Sequence, residues 1–329
     1  MNSADYQREQ AVAVDAVREA AALCQAVQSD LSSGVLEKED RTPVTVADFG
    51  SQALICRALR EAFPEDPVIA EEDASALRTE DNADVLHQVV RRVQATCPDA
   101  DREAVCDWID HGNAQHYHDR FWTLDPIDGT KGFVRGDQYA IALALVIDGR
   151  PQVVALGCPN LPDDLDDPSS TGHIFTAIRG EGAIQVPIDG IGEPEVIHAS
   201  AVQDVSDAQF CDSFVSAHSS HDTALDVGQR LGIAKEPVRM DSQAKYALVA
   251  RGDVEIYFRL PRTSNYTERI WDHAAGMLVV EEAGGRVTDV DGRDLDFRHG
   301  HLLEENRGIV ASNGAFHEKL LDTLSLVGA

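Results

Sequence analysis

Lysine is scarce in this chain: five residues (38, 131, 235, 245 and 319) among 329, set against 57 aspartates and glutamates and a formal charge of −29. A surface of that sign repels phosphodiester backbones and anionic lipid, so nucleic-acid binding and adhesion to acidic membranes are excluded as functions. The same lysine-poor, acidic balance resembles that of proteins working in high salt, and salt adaptation is expected from it. Long apolar runs are missing too. The longest, YAIALALVI (139–147), is far short of a membrane span. The opening MNSADYQREQ lacks the basic and apolar regions of a secretory signal, and a cytoplasmic location is expected. The six cysteines (24, 56, 97, 106, 158, 211) include no C-x-x-C pair; they read as reduced, mostly buried thiols, neither a disulfide framework nor a zinc site. Internal repeats and low-complexity segments are absent.

What is present is ordinary for a folded chain: 43% apolar residues, over a length that fits two domains or one large layered one. Val17, Ala21, Cys24, Val27 and Leu31 recur at helical spacing and predict a long first helix over 4–31. A second helical pattern starts at Asp48, continues through Phe49, Ile55, Leu59 and Phe63, and is closed by Pro64. VIAEE (68–72) reads as a short strand running into acidic residues, and Val85, Val89, Val93 and Cys97 mark a third helix. The texture then changes to strands: FWTLD, QYAIALALVID and PQVVALGCP, the last two joined at Asp148-Gly149-Arg150, followed by a hairpin HIFTAI–RGEG–AIQVPI. Helical (222–232), strand (254–260), helical (270–283) and strand (308–312) patterns follow, then a terminal helix. Together these predict an α/β fold of layered α+β type. The proline-containing acidic stretch PNLPDDLDDPSS (159–170) marks a boundary or long surface loop. It separates an N-terminal α+β region (1–158) from a C-terminal α/β region (159–329).

The segment WTLDPIDGTKGF (122–133) holds the densest chemistry. Pro126 presets a turn, so Asp125 and Asp128 can project from one side of a tight bend. Two carboxylates held close raise each other's pKa unless a cation sits between them, and a hard divalent ion such as Mg²⁺, shared with a phosphate, answers that need. Gly129 and Thr130 offer unhindered backbone N–H groups of the kind that accept a phosphate oxygen. Asp-Pro-x-Asp-Gly is equally a good turn sequence, and the pair alone leaves both readings open.

Four segments in order, TPVTVADFGSQ (42–52), VIAEED (68–73), DPIDGTKGF and IWDHAAGMLVVEEAGG (270–285), resemble the signature segments of the inositol monophosphatase superfamily of metal-dependent, lithium-sensitive phosphatases. The likeness covers nearly the whole chain and implies an αβαβα sandwich. It implies Mg²⁺ held by the carboxylates of Glu71, Asp125, Asp128 and Asp272 and the backbone carbonyl of Ile127. Asp48 and Thr130 would polarise the attacking water, with no covalent phospho-enzyme. Ala70-Glu71-Glu72-Asp73 stands where the inositol branch usually has Gly-Glu-Glu-Ser; the ligand Glu71 is kept, Glu72 is support, and Asp73 changes its surroundings.

HSSHD (218–222), DSQAKY (241–246), YFRLPRTSNYTERIWDHAAG (257–276) and the Thr-Lys-Gly-Phe form of the first motif are similar to the 3'(2'),5'-bisphosphate nucleotidase branch. That similarity implies a phosphorylated nucleotide as substrate: adenosine 3',5'-bisphosphate, cleaved at its 3'-phosphate, and the sulfated 3'-phosphoadenosine 5'-phosphosulfate, a link to sulfur metabolism. Gly129, Thr130, His218, Ser242, Lys245 and Arg259 would contact it. By residue type alone, Arg259 reads equally as a surface ion-pair partner and Lys245 as a solvated helix residue. An inositol phosphate or polyphosphate 1-phosphatase is the rival within the class, and an inactive nucleotide-binding sensor the rival outside it. No nucleic-acid or membrane partner is expected, and the protein is expected to be a monomer or homodimer. His111, His116 and His118 read as solvated loop histidines, not zinc ligands.

Overall fold

The computed structural model describes residues 6–32, 42–165, 167, 172–213, 221–260 and 266–327. Two long helices lead, α1 (Gln7–Ser32) and α2 (Thr42–Ala62), followed by β1 (Val68–Ala70), α3 (Ala83–Val93) and α4 (Arg102–Asp110). Then come β2 (Arg120–Asp128), α5 (Thr130–Arg135), β3 (Ala140–Ile147), β4 (Arg150–Cys158), β5 (His173–Ile178), β6 (Ala183–Pro187) and β7 (Glu195–Ile197). These seven strands form one sheet in sequence order, β1 parallel to β2 and the rest antiparallel. The remaining elements are β8 (Phe210–Asp212), α6 (His221–Leu231), β9 (Val238–Arg239), α7 (Ala244–Arg251), β10 (Ile256–Arg259), α8 (Ala274–Glu282), β11 (Arg286–Thr288), β12 (Ile309–Ser312) and α9 (His317–Val327). Their strands make a second sheet, ordered β11-β12-β10-β8-β9.

Strand residues point alternately to the two faces of a sheet, so a run apolar at every position has a core on each side. β3 is such a run. Ile141, Leu143 and Leu145 join Trp122 and Leu124 against α1 and α2, while Ala140, Ala142, Ala144 and Val146 face α7 and α8. In the second sheet Tyr257 turns to the same middle core, and Ile256 and Phe258 turn outward to α6 and α9. Three separate cores mean five layers, αβαβα, as the family likeness implied. The middle helices sit close together: a Cβ at Gly276 of α8 would fall 2.2 Å from Tyr246 of α7.

Two expectations need correction. α2 begins at Thr42, with Pro43 in the first turn where it has no helical N–H bond to lose. Asp48 is therefore inside the helix and buried, not at its start. The first sheet also runs past residue 158: β5 pairs with β4, β6 with β5 and β7 with β6, and the strands change sheets between Ile197 and Phe210. Sequence pattern missed α4, although Asp101 caps it by accepting a hydrogen bond from Ala104 N at 2.8 Å. It also missed α7, whose residues 244–250 are all buried. A helix buried all round has no amphipathic period to find.

Candidate active site

The parallel pairing of β1 with β2 brings two carboxylate-bearing strand ends to one edge. Glu71 N extends the ladder by donating to Leu124 O at 3.2 Å, which sets Glu71 beside Asp125. On its other side β2 pairs regularly with β3 as far as Asp125 opposite Ala142; Asp128 then faces Ala140. The extra residue is a bulge, and Pro126, with no N–H to give the ladder, sits in it. Asp125 Oδ1 accepts Ile127 N at 3.1 Å, and Ser51 Oγ of α2 donates to Pro126 O at 3.0 Å. Gln52 of α2 fixes the Glu71–Glu72 segment, accepting Glu72 N at 3.1 Å and donating to Ile109 O at 3.0 Å.

These ends open on a cavity of about 300 Å³. One wall carries Glu71, Asp125, Ile127, Asp128 and Asp272; opposite are Ser242, Lys245, Tyr257, Arg259 and Tyr266, with Thr130 and Lys131 exposed nearby. Gly129, also lining it, has φ +89°, and a Cβ there would meet Ser242 Cβ at 2.8 Å. Ten of the residues singled out from sequence thus share one cavity. Asp48 lies behind it, next to Glu71 and Glu72. His218 falls outside the described residues.

The acidic wall is under electrostatic stress. Burial first, then the charges of Asp272 and Glu72, push Glu71 up to about 8, and its carboxyl lies in hydrogen-bond range of Asp125. Asp125 is driven well above the usual carboxylate range by burial, then by Glu71 and Asp128. Asp48 moves the same way through burial, Glu72 and Glu71. Asp272 rises only to about 6, since burial is offset by the Arg259 guanidinium. Among the described residues, one trio of acids and histidines has ligand atoms mutually within 4.8 Å: Glu268, Asp272 and His273. A cation already fills it. Arg259 Nε lies 2.8 Å from Glu268 and a terminal nitrogen 3.2 Å from Asp272, while His273 uses both ring nitrogens, on Tyr246 OH (2.8 Å) and Glu268 (3.2 Å). Among the described residues, no ion pair to Glu71, Asp125 or Asp128 is found.

Lys245 differs from Arg259. It is 4% exposed, not the solvated residue its type allowed, and its Nζ donates to Met240 O at 3.3 Å over the Tyr257 ring. Burial lowers its pKa, and Asp128 pulls it back up. No ion pair to it is found among the described residues. A buried ammonium facing a cavity without a carboxylate partner is a receptor for an anion. Residues that sequence reading passed over also line the cavity: Lys131, Ser213, Asp241, Gln243, Tyr257 and Tyr266. Gln243 and Asp241 lie inside the quoted DSQAKY segment, but nothing in their spacing marks a role.

The inositol monophosphatase family model matches residues 5–328. A Schizosaccharomyces pombe protein named 3'(2'),5'-bisphosphate nucleotidase is 42% identical, over 98% of this chain and 96% of its own. A rice protein of the same name is 43% identical, over 96% and 93%. The solved inositol monophosphatase from Anabaena superposes with a TM-score of 0.61 at 22% identity, covering 98% of this chain and 97% of its own. It shares the fold.

Proposed function

The chain belongs to the inositol monophosphatase family, and from that premise we propose that it is a 3'(2'),5'-bisphosphate nucleotidase. It removes the 3'-phosphate of adenosine 3',5'-bisphosphate to leave AMP and inorganic phosphate; the 5'-phosphosulfate analogue suits the same cavity chemistry. One observation carries the choice: a single cavity joins a cluster of carboxylates to a buried lysine that makes no ion pair among the described residues. A substrate with two anionic groups satisfies both ends.

The donor set fits Mg²⁺. Glu71, Asp125, Asp128 and Asp272, with the Ile127 carbonyl, offer only oxygen, and burial together with neighbouring carboxylates raises the pKa of Glu71, Asp125 and Asp272, an environment that a hard cation relieves. Bound there, Mg²⁺ would acidify water and neutralise charge on the departing oxygen. Asp48, from behind the wall, and Thr130, at the mouth of the cavity, would polarise the attacking water. Water oxygen bonds to phosphorus as the P–O3' bond breaks; the attacking water supplies both the oxygen added to the phosphate and, through solvent, the proton that the departing ribose oxygen takes up as its 3'-hydroxyl. Lys245 holds the 5'-phosphate by charge, and Ser242 adds a hydroxyl. Arg259, already paired to Glu268 and Asp272, sets the orientation of the Asp272 carboxylate and presents its remaining surface to the nucleotide.

Comparing kcat/KM for adenosine bisphosphate, inositol 1-phosphate and inositol 1,4-bisphosphate tests the assignment, with EDTA as the metal control. Nucleotide preference abolished by EDTA is expected; preference for an inositol phosphate moves the protein to the other branch. Binding of the bisphosphate without turnover makes it a sensor. Among the described residues, no helix is long and apolar enough to cross a membrane.

A further inference from the structure

We propose that Gln243 is a positioning residue that holds the two halves of the metal-binding wall together, acting on Asp128 and Asp272 at once. The inference rests on the reading of that wall given above. Asp128 ends a strand of the first sheet, while Asp272 precedes α8, far along the chain. Gln243 bridges them. Its backbone N–H donates to Asp128 Oδ2 at 2.6 Å, and its side-chain Nε2 donates to Trp271 O at 2.9 Å, one residue before Asp272. The residue is 2% exposed, so neither bond competes with bulk water.

The turn that presents Gln243 is one the chain would leave if released. Ser242 has φ +68°, one of two positive φ values outside glycine among the described residues. A left-handed non-glycine residue costs on the order of 1 kcal/mol and persists where its surroundings hold it. Here Ser242 Oγ accepts Ala244 N at 3.2 Å, and the Gln243 amide anchors the far side. Gly129, directly after Asp128, lets the turn approach. Gln243 Oε1 is buried with no partner among the described residues. An unsatisfied acceptor costs about 1–3 kcal/mol, which the bonds made by the rest of the residue have to offset.

A glutamine that merely filled space would affect stability and leave metal binding alone. The two roles separate by calorimetric titration of Mg²⁺ into metal-stripped wild type, Gln243→Met and Gln243→Glu, each checked by thermal melting. The methionine keeps length and volume without the amide; the glutamate keeps the shape but sets a carboxylate oxygen against Trp271 O. Both variants are expected to bind Mg²⁺ 10–100-fold more weakly, the usual loss when a group supporting a metal ligand is removed. KM for adenosine bisphosphate, measured at Mg²⁺ raised in proportion, should move less than about threefold. A Mg²⁺ Kd within twofold of wild type in a folded variant overturns the inference, whatever happens to the melting temperature. Wild-type protein that takes up no Mg²⁺ overturns the metal wall itself, and with it the present proposal.

Discussion

The two walls of the cavity are built on opposite plans. Glu71, Asp125 and Asp128 stand at the ends of adjacent strands in one sheet, and backbone ladders put them there. Lys245 and Arg259, opposite, come from a helix and a strand end around the second sheet, and side-chain bonds tie them in place, Arg259 to Glu268 and Asp272 and Lys245 to Met240 O. Their charge balance differs as well. Arg259 is neutralised within the protein, whereas Lys245 and the strand-end acids depend on something that binds. Ion pairing made inside the fold, not charge alone, decides which groups remain for a ligand.

The sharpest way to break this comparison is on the acidic side. Asp125→Asn should lower kcat by on the order of 10³-fold or more and weaken Mg²⁺ activation, while relieving repulsion and leaving the melting temperature unchanged or higher. A variant with near-normal turnover would remove Asp125 from the chemistry. Next in size is Lys245→Ala, expected to cost about 100-fold in kcat/KM for adenosine bisphosphate, the loss of a buried charged contact. Inositol 1-phosphate hydrolysis should change far less; equal losses would make Lys245 structural.

A buried group belonging to neither wall provides the reference. His317 is 1% exposed, with Ser312 at 2.8 Å from Nδ1 and Thr288 at 2.9 Å from Nε2. Thr288 gives its own hydrogen to Asp289 O, so it accepts from Nε2–H, and the imidazole is neutral. Burial, then Arg286, lowers its pKa to about 4. The unfolded chain therefore takes up this proton first as pH falls. The stabilisation is complete above about 6.5 and fades towards pH 4, a loss of roughly 2–3 kcal/mol. Urea melts of wild type and His317→Gln at pH 7 and pH 4.5 measure it: the variant's stability should depend less on pH. The smallest effect is expected at Glu268. Glu268→Gln keeps the shape but removes the charge facing Arg259 and His273, and should raise KM for the nucleotide about tenfold with kcat changed less. A double-mutant cycle with Arg259→Lys should show coupling; additive losses would mean that Glu268 does not act through Arg259.

Much of the acidic wall was legible in the chain itself. DPIDGT packs two carboxylates, a bulge-forming proline and a clearance glycine into six residues, because β2 has to deliver them all at one strand end. The apolar strands beside it were equally plain. Asp48 was found as a residue but misplaced in its helix, since the start signal, Thr42-Pro43, stands upstream of the apolar pattern that was followed. Lys245 and Arg259 were named only through likeness to a branch, and their types alone allowed ordinary surface roles.

Local pattern and summed charge were enough for the layered class, the paired acids after an apolar strand and an expectation against polyanion partners. Packing settled that Arg259 is already paired to Glu268 and Asp272, that Lys245 is buried with no ion pair among the described residues, and that Gln243 reaches both Asp128 and Trp271. Those are contacts between residues remote in the chain, and they exist only once two sheets and the helices between them have packed. Burial and partnership are set by that packing, and they turn a list of charged residues into a site.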